Sequence, residues 1–161
     1  MIGNDIVDLD LAQKESNWRR KGFLNKIFTL QEQALILNDF NPECMVWNLW
    51  SRKESAYKIY NRKTGISGFF PLRIECDFED LSTGTVRIDD FIFYTKTQIE
   101  DDFVYTIAVS KFALFDNIKS LETVENIQKE KGVPFLFESK TKEKIPVSIT
   151  HHGIFQRIIT L

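Results

Sequence analysis

Glu54 and Lys58 stand four residues apart in the run Trp50-Ser51-Arg52-Lys53-Glu54-Ser55-Ala56-Tyr57-Lys58. As a helix, this spacing sets a carboxylate and an ammonium one turn apart on one face, with Trp47 and Ser51 beside them. Val46, Leu49, Ala56, Tyr57 and Tyr60 fall on a broader apolar arc opposite, so one side anchors the helix and the other offers the charges. Lys53 sits awkwardly inside that apolar arc. On spacing alone the Glu–Lys pair reads as an exposed ion pair worth only about 0.2–0.5 kcal/mol, and its company decides whether it is more.

A second carboxylate lies near the start of the chain. Residues 2–9 alternate as a strand, with Gly3, Asp5, Val7 and Leu9 on one side. If that side is buried, Asp5 needs a cation, strong donors or a shifted pKa. A salt bridge, for example to Lys53, and a metal ion both meet the need. At the other end, Val147-Ser148-Ile149-Thr150-His151-His152-Gly153 supplies hydroxyls and imidazoles. Adjacent strand residues point to opposite faces, which argues against a two-histidine metal site at His151 and His152. Between residues 11 and 26, Lys14, Arg19, Arg20, Lys21 and Lys26 face a single Glu15. Such a run is either a solvated face or a dock for an acidic partner, with Trp18 and Phe23 adding apolar contacts.

These side chains need elements to position them. Residues 11–26 read as a helix. Thr29 and Glu32 form a capping box ahead of a helix ending near Asn38, and Asn41-Pro42 marks a turn. The central helix is expected over residues 43–61, with Gly65 in the segment that closes it; a glycine loop there would also let a ligand approach the backbone. From Pro71 the period becomes strand-like, with runs at 72–78, 85–94 and 103–109 reading as an antiparallel meander. Residues 120–131 read as helical, and strands follow at 135–137, 147–149 and 154–161. The expected fold is one α+β domain over residues 1–161, an antiparallel sheet packed against the long central helix and its neighbouring helices.

Bulk properties agree. The 161 residues are 43% apolar and 27% charged, ordinary for a folded chain, and 14 phenylalanines suggest a core of large rings. A net charge of −2 argues against nucleic acid as a partner, which needs a basic field. Cys44 and Cys76 lack metal-ligand spacing. There is no signal-peptide pattern and no apolar run of about 18 residues, so no membrane association is expected and the cytoplasm is the expected compartment.

The Asp5 strand, the W-S-x-K-E-S-x-x-K helix and the closing S-I-T-H strand together resemble the 4′-phosphopantetheinyl transferases, and among them the short, single-copy holo-acyl-carrier-protein synthase type. Gly132-Val133-Pro134 is similar to that family's Gly-x-Pro segment. The resemblance implies transfer of the 4′-phosphopantetheine arm of coenzyme A to a serine of an apo acyl- or peptidyl-carrier protein, releasing adenosine 3′,5′-bisphosphate. It implies Mg²⁺ held by Asp5 and Glu54, with Glu54 also a candidate base and Lys58 meeting the pyrophosphate. Lys53, Lys58, Gly65, Ser148, Thr150 and His151 are the implied coenzyme A contacts. Lys14, Arg19, Arg20 and Lys21 become the implied dock for the carrier protein, and a homo-oligomer, a trimer, the implied assembly.

The chain also departs from that pattern. Val7 stands where some members carry a third acidic residue, with Asp8 as an indirect substitute. Phe155-Gln156-Arg157 replaces a ring followed by alanine, and residues 79–125 lack a counterpart in the short synthases. Two alternatives therefore accompany the transferase reading. One is a catalytically degenerate module that binds coenzyme A or a carrier protein; the other is a metal-dependent hydrolase of nucleotide pyrophosphates.

Overall fold

The computed structural model describes residues 1–123, 127–130, 132–138, 141 and 143–161. The first strand, β1 (Ile2–Asp8), runs straight into α1 (Leu9–Glu15), whose first turn is capped by the Asp8 carboxylate. Two short helices follow, α2 (Phe23–Ile27) and α3 (Leu30–Asn38), the latter opened by the Thr29–Glu32 capping box. The central helix, α4 (Pro42–Thr64), starts with Asn41 as its cap and Pro42 in its first turn. It stops at Gly65, whose φ of 73° is the left-handed conformation that glycine adopts without strain.

Four antiparallel strands come next: β2 (Ile74–Phe78), β3 (Thr83–Ile88), β4 (Phe91–Ile99) and β5 (Phe103–Val109). With β1 they form a five-stranded sheet in the order β1-β5-β4-β3-β2. Helix α4 crosses this sheet and shares two clusters with it. Ala56, Ile59 and Tyr60 meet Val86, Ile88, Phe93 and Ala108 at one end. At the other, Val46, Trp47 and Leu49 join Val7, Val104 and the α2–α3 side chains Ile27, Phe28 and Ile36. A second antiparallel sheet comprises β6 (Lys119–Leu121), β7 (Ile127–Glu130), β8 (Val133–Phe137), β9 (Lys144–His152) and β10 (Phe155–Thr160), in the order β6-β10-β9-β8-β7. The α+β class is as expected, but the strands divide between two sheets rather than one. No helix among the described residues is long and apolar enough to cross a membrane.

Two further expectations are corrected. The helix expected over 11–26 is broken, because buried Trp18 drops into the core between α1 and α2 and Gly22, at φ 85°, redirects the chain. Described residues in the segment 120–131 are extended rather than helical. Both β6 and β7 are edge strands, where Lys119, Lys129 and Glu130 can face water, so a charged run there needs no helix. Val124, Glu125, Asn126 and Lys131 lie outside the described residues.

Candidate active site

The site begins with a close approach of backbone to backbone. A Cβ on Gly3 would stand 2.1 Å from the carbonyl oxygen of Ser55, so only glycine lets α4 sit this near to β1. Two residues along the same face of β1, Asp5 thereby comes beside the helix face that carries Glu54 and Lys58. Asp5 Oδ1 accepts from Lys58 Nζ at 3.4 Å and from the Thr150 hydroxyl at 3.2 Å. Burial raises the Asp5 carboxyl above its ordinary value, against the pull of Lys58. Glu54, half-buried, is pushed up to about 7, by burial first and by the Asp5 charge second, with Lys58 opposing. Both carboxylates line a cavity of about 310 Å³ with Trp47, Trp50, His151 and His152.

Lys58 links this cavity to another. Its Nζ also donates to the carbonyls of Asn4, at 2.7 Å, and Ile149, at 3.4 Å. One turn further, Arg62 repeats the pattern, donating to Val147 O at 2.7 Å and Ile2 O at 3.3 Å. Each cation thus bridges one carbonyl of β1 and one of β9. Arg62 Nε is buried without a partner among the described residues. The second cavity, about 290 Å³, is lined by Lys58, Arg62, Lys129, Tyr57, Pro134 and Ser148 among others, and among the described residues no acidic side chain borders it. Sequence reading missed Arg62, although positions 54, 58 and 62 continue one helical face.

The free edge of β1 is closed by side chains of β9. Asn4 N donates to Ser148 Oγ at 3.0 Å, Ile6 N to Thr150 Oγ1 at 3.2 Å, and Asp8 N to His152 Nδ1 at 2.9 Å. Every second residue of one strand meets every second residue of the other, so three backbone donors that would be orphaned are satisfied. Ser148 and Thr150 are buried, while Ser148 also borders the basic cavity. His151 is exposed on the opposite side of β9 and reaches the rim of the carboxylate cavity.

Lys53 is elsewhere. It is fully buried and paired with Glu32 at 2.7 Å, and its ammonium also reaches the carbonyls of Ile27, Pro71 and Ile74. A cation so deeply buried and so fully paired has no side open to a ligand, whereas Lys58, which pairs with Asp5 where Lys53 does not, is partly exposed. Gly65 borders neither cavity; its part is the end of α4. Val7 is buried in the core, and Asp8 spends one carboxylate oxygen on Leu11 N and the other on Ile154 N, amides that hold its pKa down. Lys14, Arg19, Arg20 and Lys21 are all exposed. Arg19 lies 4.1 Å over the Trp18 ring, and Arg19, Arg20 and Lys21 rim a surface cavity of about 450 Å³ with Leu24, Gln33 and Leu37.

A divalent cation fits Asp5 and Glu54. No hydrogen-bond donor among the described residues reaches the Glu54 carboxylate, and burial raises both acids, Glu54 further through the Asp5 charge, so a cation between them would relieve both. Among the described residues no group of three or more His, Cys, Asp or Glu converges as a full cage. Mg²⁺ commonly takes one or two carboxylates and completes its octahedron with waters and phosphate oxygens, which suits a two-acid site.

The family profile of the 4′-phosphopantetheinyl transferase superfamily matches residues 1–109, which hold the whole first sheet and α4. The chain belongs to that superfamily. Solved structures agree on the fold. A holo-[acyl-carrier-protein] synthase of Helicobacter pylori, crystallised with coenzyme A, superposes with a TM-score of 0.54 at 16% identity, covering 69% of this chain and 100% of that one. The Neisseria meningitidis synthase gives 0.54 at 21% identity, with coverages of 68% and 96%. That of Thermotoga maritima gives 0.53 at 13% identity and covers 99% of this chain and 82% of its own. No curated protein sequence matches the chain.

Proposed function

We propose that this chain moves the 4′-phosphopantetheine arm of coenzyme A to a serine hydroxyl of an apo acyl- or peptidyl-carrier protein, with Mg²⁺ at Asp5 and Glu54, releasing adenosine 3′,5′-bisphosphate. The observation that carries the reading is the pair of raised carboxylates on one cavity, joined through Lys58 to a second cavity whose charged residues, among those described, are all positive. Bound magnesium would offset the charge of the pyrophosphate and the charge that grows on its leaving half. The serine oxygen attacks the phosphorus bearing the pantetheine arm, the bridging P–O bond breaks, and its electron pair departs with the adenosine bisphosphate. Glu54 accepts the serine proton, directly or through a water. Lys58 meets the pyrophosphate, Arg62 and Lys129 offer charge to the remaining phosphate, and Ser148 and His151 border the bound nucleotide. Self-association as a trimer belongs to this reading, because a single lobe presents both cavities at its surface.

Intact mass spectrometry tests the reaction. An apo carrier protein incubated with this chain, coenzyme A and Mg²⁺ is expected to gain one phosphopantetheine arm, and to gain none with EDTA. No gain on several unrelated carriers, with coenzyme A still bound, would make the chain a binding module. Free phosphopantetheine formed without a carrier would make it a hydrolase.

Carrier proteins rich in acidic residues would dock on Lys14, Arg19, Arg20 and Lys21. Reversing the charge of Arg19 and Arg20 together is expected to raise KM for the carrier by about tenfold at low salt, shrinking as salt rises, with little change in KM for coenzyme A. Equal changes for both substrates in steady-state kinetics would remove the docking role.

A further inference from the structure

Thr150 differs from the other two rungs that join β9 to β1. Its side chain is buried, and its hydroxyl accepts from Ile6 N at 3.2 Å. A hydroxyl has a single proton, and here the oxygen 3.2 Å away on the other side is Asp5 Oδ1. Ser148 and His152 receive β1 amides in the same way, but neither hydrogen-bonds Asp5 or Glu54. Asp5 Oδ1 also takes the Lys58 ammonium, whereas no donor among the described residues reaches Oδ2. The carboxylate is therefore gripped by one oxygen and free at the other.

We infer that Thr150 is a positioning residue for Asp5: its hydroxyl, oriented by the Ile6 amide, holds Oδ1 and leaves Oδ2 for a divalent cation. The inference rests on the metal site proposed above. It moves Thr150 from contact with coenzyme A to support of a ligand. Groups that hold a metal ligand in place change affinity by about ten- to a hundredfold when removed, even though they never touch the ion.

The test is Mn²⁺ binding to the purified chain, with neither coenzyme A nor carrier present, read as loss of the free-ion electron paramagnetic resonance signal. Thr150→Val keeps the shape and removes the hydroxyl; it is expected to weaken Mn²⁺ binding by about tenfold or more. Thr150→Ser restores the donor and is expected to bind as the parent does. Ser148→Ala is the control, because it orphans a neighbouring β1 amide without touching Asp5; it is expected to lower the melting temperature and leave Mn²⁺ affinity unchanged. Parent-like binding by Thr150→Val overturns the inference, and so does an equal loss in Ser148→Ala. Should Thr150→Val not fold, Thr150→Cys, with its weaker donor, decides: affinity between parent and Asp5→Asn supports the role, and parent affinity overturns it. If Asp5→Asn leaves the parent's Mn²⁺ binding unchanged, it is the metal site itself that fails.

Discussion

Replacing Glu54 by glutamine is expected to cut the rate of phosphopantetheine transfer by about a hundred- to ten-thousandfold, the range for loss of a general acid–base group. The loss of the proposed metal carboxylate in the same change pushes toward the upper end. The fold is expected to survive, because the ionised form of Glu54 is a burden on the metal-free protein. Its carboxyl is raised from 4.5 to about 7 by burial and by Asp5, so the folded state binds that proton more tightly than the unfolded chain does. Stability from this group is therefore full below about pH 4.5, falls as pH rises toward 7, and is lost above it. Glutamine carries no charge to penalise. The metal-free variant is expected to melt no lower than the parent at pH 8, with a flatter dependence on pH. Transfer kinetics and thermal unfolding in EDTA check both halves, and near-normal activity would remove Glu54 from the mechanism.

Lys53→Met is expected to act in the opposite way, costing about 3–5 kcal/mol of stability, because it leaves Glu32 charged in the core without its cation. Adding Glu32→Gln to Lys53→Met is expected to recover part of that loss. Glutamine keeps oxygen for the amides of Thr29 or Cys76, both of which bond Glu32, and carries no charge to strand. Denaturant unfolding of both single variants and the double gives the coupling. A rise in KM for coenzyme A in Lys53→Met, at unchanged stability, would restore the lysine to the binding site.

How much of this was legible in the sequence depended on how local the deciding contact is. Asp5, Glu54 and Lys58 could be placed on their faces because the strand and helix periods act over a few residues. Their meeting was not legible, because α4 buries Trp47 and Ser51 from the charge-bearing face as well as its apolar arc. Lys53 gave a warning, a lysine inside an apolar arc, but its partner Glu32 lies in a capping box one helix earlier in the chain, and no period connects the two. Ser148 and Thr150 were visible as alternate strand residues; their target, the open edge of β1, appears only when strands about 144 residues apart come together. The segment 120–131 misled because mixed charge without an apolar period suits a solvated helix and a sheet edge equally well. Arg62 was overlooked because the motif stops at Lys58, although the helix does not.

The missing side chain at Gly3 sets the gauge of the cleft. Strand and helix touch there main chain to main chain, so the separation of the carboxylates is inherited from two backbones rather than from the fit of interchangeable core side chains. The surrounding core, two clusters of aliphatic and aromatic groups, is then free to drift through substitutions of similar volume. Lineages with few residues in common could in this way keep one catalytic spacing.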